Sequence, residues 1–279
     1  MTCIQYQNVS EFLKENESQL LERESENNLI LGLADAISNA KRPFDNTLFL
    51  SLTEGGQALR SNDDRPLAIT QMSSESIKEL ITYLHSLNTK LSGVVGPKES
   101  ALIFAQEWTK QLGIGKTTAM EQGVYELTKV IPPLKQVGKL HQVQVKDQTI
   151  ALQMIKGFVE ECFPEDKQPE KTAQKSWEIQ ILNKSLFFWK DENEQIVSMA
   201  GRSRESKNAA CVSLVYTPPE KRGKGYASQV VAALSQQILD SGKSKCNLFT
   251  DLKNPTSNAI YQKIGYQWVS ESRHINFVN

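Results

Sequence analysis

Two clusters of residues in the second half of the chain have the types and spacing for chemistry. The first is Arg222-Gly223-Lys224-Gly225-Tyr226-Ala227, where glycines and cations alternate just ahead of an apolar run. That run, Val230, Val231, Leu234 and Ile238, has helical spacing and meets a stop at Gly242. Upstream, "AACVSLVYT" reads as a strand that leads into Pro218-Pro219. Strand, glycine-rich loop and helix N-terminus form, in that order, an anion cradle. Free N–H groups and the helix dipole face the anion. Glycine lets the backbone come close, and Arg222 and Lys224 add charge. Without those flanks the run would be a basic capped turn. It lacks the third glycine of a dinucleotide fingerprint and the spacing of a Walker A loop.

The second cluster is Asn254, Ser257, Asn258 and Tyr261. Asn254 is a natural N-cap, Pro255 suits the first helical position and Gly265 closes the helix. Ile260 and Ile264 would face the core, and the four polar residues another side. The plain alternatives are capping for Asn254 and half-buried packing for Tyr261. A third stretch, "LGIGKTT", imitates a phosphate loop. Its first glycine position is Lys110, a helix precedes it and a strand follows, so it reads as a helix-to-strand connection.

Taken together, the two clusters resemble the GNAT superfamily of N-acetyltransferases over about Leu140 to Asn279. Arg222 to Ala227 matches its [RQ]-x-x-G-x-[GA] motif. Asn254, Tyr261 and Gly265-Tyr266 match its closing motif. The resemblance implies acetyl-CoA as co-substrate, with no metal. The loop Arg222, Gly223, Lys224, Gly225, Tyr226 and Ala227 would hold the pyrophosphate. The backbone of Leu214, Val215 and Tyr216 would pair with the pantetheine arm, and Asn254 would touch the cofactor. Tyr261 would protonate the leaving thiolate. The implied reaction is acetyl transfer to a primary amine of a small-molecule or peptide acceptor. A non-catalytic acyl-CoA-binding or regulatory module is the rival, because no base stands out. Asp251 ends its strand, Glu220 points to solvent, His141 and His274 read as ordinary strand residues, and His85 as a helix-surface residue.

These residues need a scaffold, and the pattern supplies an α/β one with two domains, 1–135 and 136–279. The second has a mixed sheet flanked by helices, with "LHQVQV", a helix over "DQTIALQMIKGFVEECF" and a hairpin around Asp191-Glu192-Asn193-Glu194 ahead of the cradle. In the first, helical periodicity at Val9 to Leu21 and Ile30 to Ile37 stops at Arg42-Pro43. Two strands, a helix capped by Ser73 or Ser74, "LSGVVGP", a helix ended by Gly113 and a strand bulged or bent at Gly123 follow. "IPPLKQVGK" reads as the connection. The first half is either a degenerate acetyltransferase-like copy or an unrelated α/β domain. On the copy reading, its counterpart of the cradle falls at Pro97-Lys98-Glu99-Ser100.

Lys+Arg 32 balance Asp+Glu 32, which gives no global pull toward nucleic acid. The first residues have no basic start with an apolar run, and no apolar run approaches a membrane span. Cys3, Cys162, Cys211 and Cys246 are too widely spaced for a metal motif or a disulfide framework. A cytoplasmic protein without membrane partner is expected, its oligomeric state open.

Overall fold

The computed structural model describes residues 2–41, 44–134 and 137–278. The Arg42-Pro43 stop and the 135/136 boundary fall on residues outside that set. Ten elements make up the first half: β1 (Cys3–Gln5), α1 (Val9–Glu22), α2 (Asn28–Ser38), β2 (Leu48–Leu52), β3 (Gln57–Arg60), β4 (Leu67–Ile69), α3 (Ser74–Ser86), β5 (Gly93–Pro97), α4 (Lys98–Leu112) and β6 (Gly115–Leu127). The second half repeats the order: β7 (Lys139–Gln142), α5 (Gln148–Cys162), α6 (Pro169–Leu182), β8 (Leu186–Lys190), β9 (Ile196–Ser203), β10 (Ala209–Tyr216), α7 (Tyr226–Asp240), β11 (Lys245–Asp251), α8 (Pro255–Ile264) and β12 (Gln267–Val278). Short 3-10 turns, Val145–Asp147 and Pro219–Lys221, lie between them.

The described strands form one mixed sheet, β1-β2-β3-β4-β5-β12-β6-β11-β10-β9-β8-β7. That order is a palindrome if each strand is replaced by its counterpart in the other half. Parallel pairing occurs at the matching places, β4 with β5 and β10 with β11. The axis falls between β6 and β12, whose antiparallel ladder runs from Gln267↔Glu126 to Val278↔Gly115. Each half therefore gives its last strand to the middle of the sheet. β12 pairs with β5, and β6 pairs with β11.

Strand alternation sends neighbouring side chains to opposite faces. Val94 packs with α3 and α4, and Val95 with α1 and α2. Likewise Cys246 and Leu248 pack with Val230, Val231, Leu234 and Ile238 of α7, while Met199 and Phe188 pack with Met154, Ile155 and Trp177 of α5 and α6. Apolar burial at about 25 cal/mol per Å² makes these four clusters the main driving force.

The structure corrects several expectations. The stretch 47–72 holds three strands, not two, and β1 and α6 have no counterpart in the sequence pattern. α6 gives little signal because only Ala173, Trp177 and Gln180 are buried along it. β6 begins at Gly115, so Gly115-Lys116-Thr117 is strand. Gly123 is not a bulge: it pairs with Thr250 and Glu271, and the register shifts lie elsewhere. It is glycine because a Cβ would meet the Trp268 ring at 2.6 Å and Tyr125 at 2.9 Å. His85 is half-buried, stacked on Trp108 at 4.7 Å. Finally, element order makes residues 70–73 the counterpart of the cradle loop, because they join β4 to α3; Pro97 to Ser100 instead corresponds to the start of α8.

Candidate active site

The site is set by a break in β10. Its parallel pairing with β11 covers Ala209↔Lys245, Ala210↔Cys246 and Cys211↔Asn247, and then stops. Against β9 the register shifts between Ser213 and Tyr216, so Leu214 and Val215 share one partner position, a β-bulge. Leu214 holds φ +50°, a left-handed value that is rare for a branched side chain. The ends of β10 and β11, Ser213–Tyr216 and Leu248–Asp251, thus part and leave a wedge in the sheet. The Ser198 hydroxyl fixes the far end by donating to the Tyr216 carbonyl at 3.0 Å.

Residues 217–225 then lead from the wedge to α7. Gly223 and Gly225 have φ +76° and +79°, and nothing but Gln229 Nε2, at 4.0 Å, approaches a Cβ at either. Conformation rather than crowding demands glycine here. Gly225 is the N-cap of α7 and no side chain caps the helix. Its first N–H groups therefore project at the end of the wedge. Lys224 is exposed beside them, whereas Tyr226 packs against the core.

Arg222 is committed elsewhere. Its Nη2 donates to Glu161 Oε1 and Oε2 at 2.6 and 2.7 Å, and its Nε to the Thr217 carbonyl at 2.9 Å. It also lies 5.8 Å from the Tyr216 ring centre. Tyr216 in turn rests on α5, where a Cβ at Gly157 would sit 2.4 Å from its hydroxyl. Burial, then Glu161, pushes the Tyr216 phenol up, while Arg222 pulls it down. The sequence motifs do not point to Glu161, Gly157 or Ser198. The one legible signal is Gly157, since a glycine inside a helix needs a packing reason.

Asn254 caps α8, its Oδ1 accepting from the Ser257 N–H at 3.0 Å. The capping alternative thus accounts for its oxygen. Tyr261 is only 8% exposed and shares the apolar cluster of Ile264, so it does not stand on a separate polar side. Its ring meets Tyr266 edge-on at 6.1 Å. Burial pushes its phenol up to about 12. Ser257 lowers it, and Cys162 and Cys211 raise it a little more. Cys162 ends α5 and Cys211 is the last residue of β10 paired with β11, so Tyr261 lies near the wedge. Asp251 Oδ1 accepts from the Lys253 N–H at 2.8 Å. Glu220 is exposed. No three His, Cys, Asp or Glu side chains among the described residues converge to hold a metal ion. No helix among them is long and apolar enough to cross a membrane.

The first half lacks these features. β3 and β4 pair without a shift, and Ser73 caps α3 by accepting from the Ser76 N–H. The Met72 N–H is used by Ser100 Oγ at 2.9 Å.

Known proteins share this architecture. A Drosophila protein of solved structure matches 97% of this chain and 95% of its own at TM-score 0.66 and 13% identity. A GNAT-family acetyltransferase from Colwellia psychrerythraea matches 100% and 99% at 0.56 and 13%. A GCN5-related N-acetyltransferase from Sphaerobacter thermophilus matches 88% and 85% at 0.57 and 13%. The chain has the fold of the GNAT superfamily, a mixed sheet flanked by helices across its whole length. More particularly, residues 193–275 match the family model described as FR47-like protein, a segment that includes the wedge, the glycine loop and α8. No curated protein matches the sequence.

Proposed function

We propose that this chain is an acyltransferase that moves the acetyl group of acetyl-CoA to a primary amine. The observation that carries the reading is the join of an opened strand pair to an uncapped helix N-terminus. The backbone of Leu214, Val215 and Tyr216 would hold the extended arm of the cofactor. The N–H groups of Gly223 to Ala227 would hold its pyrophosphate, with Lys224 adding charge. Arg222 would serve by clamping the loop to α5, and Asn254 through the amide nitrogen that capping leaves over.

In the reaction the neutral amine attacks the thioester carbon. The C–N bond forms and the C–S bond breaks; one proton leaves nitrogen and one ends on sulfur. Tyr261 is the candidate donor at sulfur. Among the chain's own groups Asp251 is the nearest acid by sequence to the closing cluster, but it stays a weak candidate base. The two halves are read as a catalytic domain and a first domain of like topology that has lost the cradle.

Calorimetry with acetyl-CoA, followed by thiol release across an amine panel, tests this. Acetyl-CoA binding with transfer to at least one amine is expected. Binding without transfer would favour the non-catalytic module, and no binding of any CoA thioester would end both readings.

A further inference from the structure

A small cavity lies where the two halves meet, on the face of the sheet opposite α7 and α8. The turn from α1 into α2 roofs it with Glu26, Asn27 and Ile30. Ile69, Val95 and Gln122 of the first half, and Phe249, Arg204 and Ser272 of the second, stand in its wall. Phe249 belongs to β11 beyond its last pairing with β10, so the cavity borders the wedge. Its volume is about 40 Å³, room for about three water-sized groups.

Arg204 is firmly held there. Its backbone is at φ +46°, its carbonyl accepts from Asn28 Nδ2 at 3.1 Å, and a Cβ at Gly32 would meet its Cα at 2.5 Å. α2 is therefore seated directly on it. Its guanidinium lies 4.9 Å from the Phe249 ring centre. Among the described residues that guanidinium has no ion pair and donates no hydrogen bond. Its neighbours fare differently: Arg202 pairs with Glu205, and Glu26, the acid on the cavity wall, pairs with Arg23. Stacked on an aromatic face in the cavity wall, with no protein group on its N–H donors, that guanidinium is free to receive an anion.

Resting on the transferase reading above, we infer that this cavity is the acceptor pocket and that Arg204 selects a small amine that carries a carboxylate. The single charge of Arg204 matches a carboxylate. A phosphate, with up to two charges, would meet no second cation in this wall, which also holds the Glu26 carboxylate. A volume of three water-sized groups suits a carboxylate and its carbon, leaving the amine to reach toward the wedge. The first half thereby contributes to the reaction by supplying the roof.

The proposal is tested by thiol release from acetyl-CoA by the full chain, with amino acids and the same compounds as their amides. The acids should exceed the amides roughly 10- to 100-fold in kcat/KM. Arg204→Gln should bring that ratio near one, and Arg204→Lys should keep part of it. Equal use of acids and amides by the wild type, or an unchanged ratio in Arg204→Gln at an intact thermal midpoint, overturns the inference. If no amine releases thiol, the transferase reading fails separately. The pocket is then judged by calorimetry with the free amino acids. Binding weakened by Arg204→Gln supports it, and binding that is absent or indifferent to the substitution overturns it.

Discussion

Replacing Tyr261 with Phe tests the chemistry most directly. Burial pushes this phenol up to about 12, whereas an ordinary thiol sits near 8.5. Full proton transfer to a thiolate of that basicity would run uphill by about 3.5 pKa units, or about 5 kcal/mol. On the proposed mechanism Tyr261 would thus act as a hydrogen-bond donor to the sulfur while the C–S bond breaks, with solvent completing the protonation. A hydrogen bond to a charged partner contributes about 1.5–3 kcal/mol, which predicts a fall in kcat of roughly 10- to 150-fold. The acetyl-CoA Kd should change little, because the bond strengthens only as charge develops on sulfur. The assay is thiol release at saturating acetyl-CoA, with calorimetry for binding and a thermal melt for folding. The phenol also stays protonated below about pH 12, so any alkaline limb of the rate profile between about pH 7 and 10 should persist in the variant. An unchanged kcat in a folded variant would remove Tyr261 from the mechanism. Loss of a limb in that range would refute the burial argument.

Three further outcomes follow from the geometry. Glu161→Gln should alter stability by no more than about 1 kcal/mol, because the pair with Arg222 is 44% and 47% exposed; by freeing the loop it should raise the KM for acetyl-CoA more than it lowers kcat, and the reverse pattern would deny the clamp. Gly225→Ala forces a Cβ onto φ +79°, a strain of about 1–2 kcal/mol, so either the denaturation midpoint falls or the loop shifts and acetyl-CoA binding weakens; a variant in which both stay as in the wild type would refute the cradle. Stability should decline above about pH 9: burial raises Cys246 from 9.0 and Tyr261 from 10.0, each to about 12. Below their ordinary values both groups are neutral whether the chain is folded or not. As pH rises toward about 12 the unfolded chain ionises first, and each group removes up to about 1.4 kcal/mol per pH unit. A flat denaturation curve from about pH 8 to 11 would contradict this.

How far the sequence could be read depended on whether the causes were local. Gly223, Gly225, Asn254, Pro255 and Gly265 announce turns and caps through their own chemistry, and the elements they bound lie where expected. The wedge could be inferred only through the family motif, since nothing in the residues of "VSLVYT" says that Leu214 is left-handed or that pairing with β11 ends at Cys211. Arg222 looks like an anion ligand in the sequence because Glu161, 61 residues upstream, is invisible to a local pattern. Tyr261 looks polar-facing because helical spacing cannot show that the surface it meets is a core containing a second tyrosine, Tyr266.

The exchange of last strands explains why a first half without a cradle is kept. β11 carries Phe249 and Asp251, and past Asn247 its pairing with β10 has ended. What holds its free end is β6, through Leu248↔Tyr125, Phe249↔Val124, Thr250↔Gly123 and Asp251↔Gln122. All four partners come from the first half. An opened strand pair needs a rigid neighbour on its outer side, or the wedge would collapse into an ordinary ladder and bury the backbone groups of Leu214 and Val215. In return β12 closes the first half by pairing from Ser272↔Pro97 to Asn276↔Gly93. The Glu24 carboxylate just past the end of α1, 2% exposed, adds a second tie by accepting from Ser206 Oγ at 2.8 Å and the Asn208 N–H at 2.9 Å. The first half has no uncapped helix N-terminus at the matching place, and what it supplies to the second half is β6, the strand that flanks the wedge.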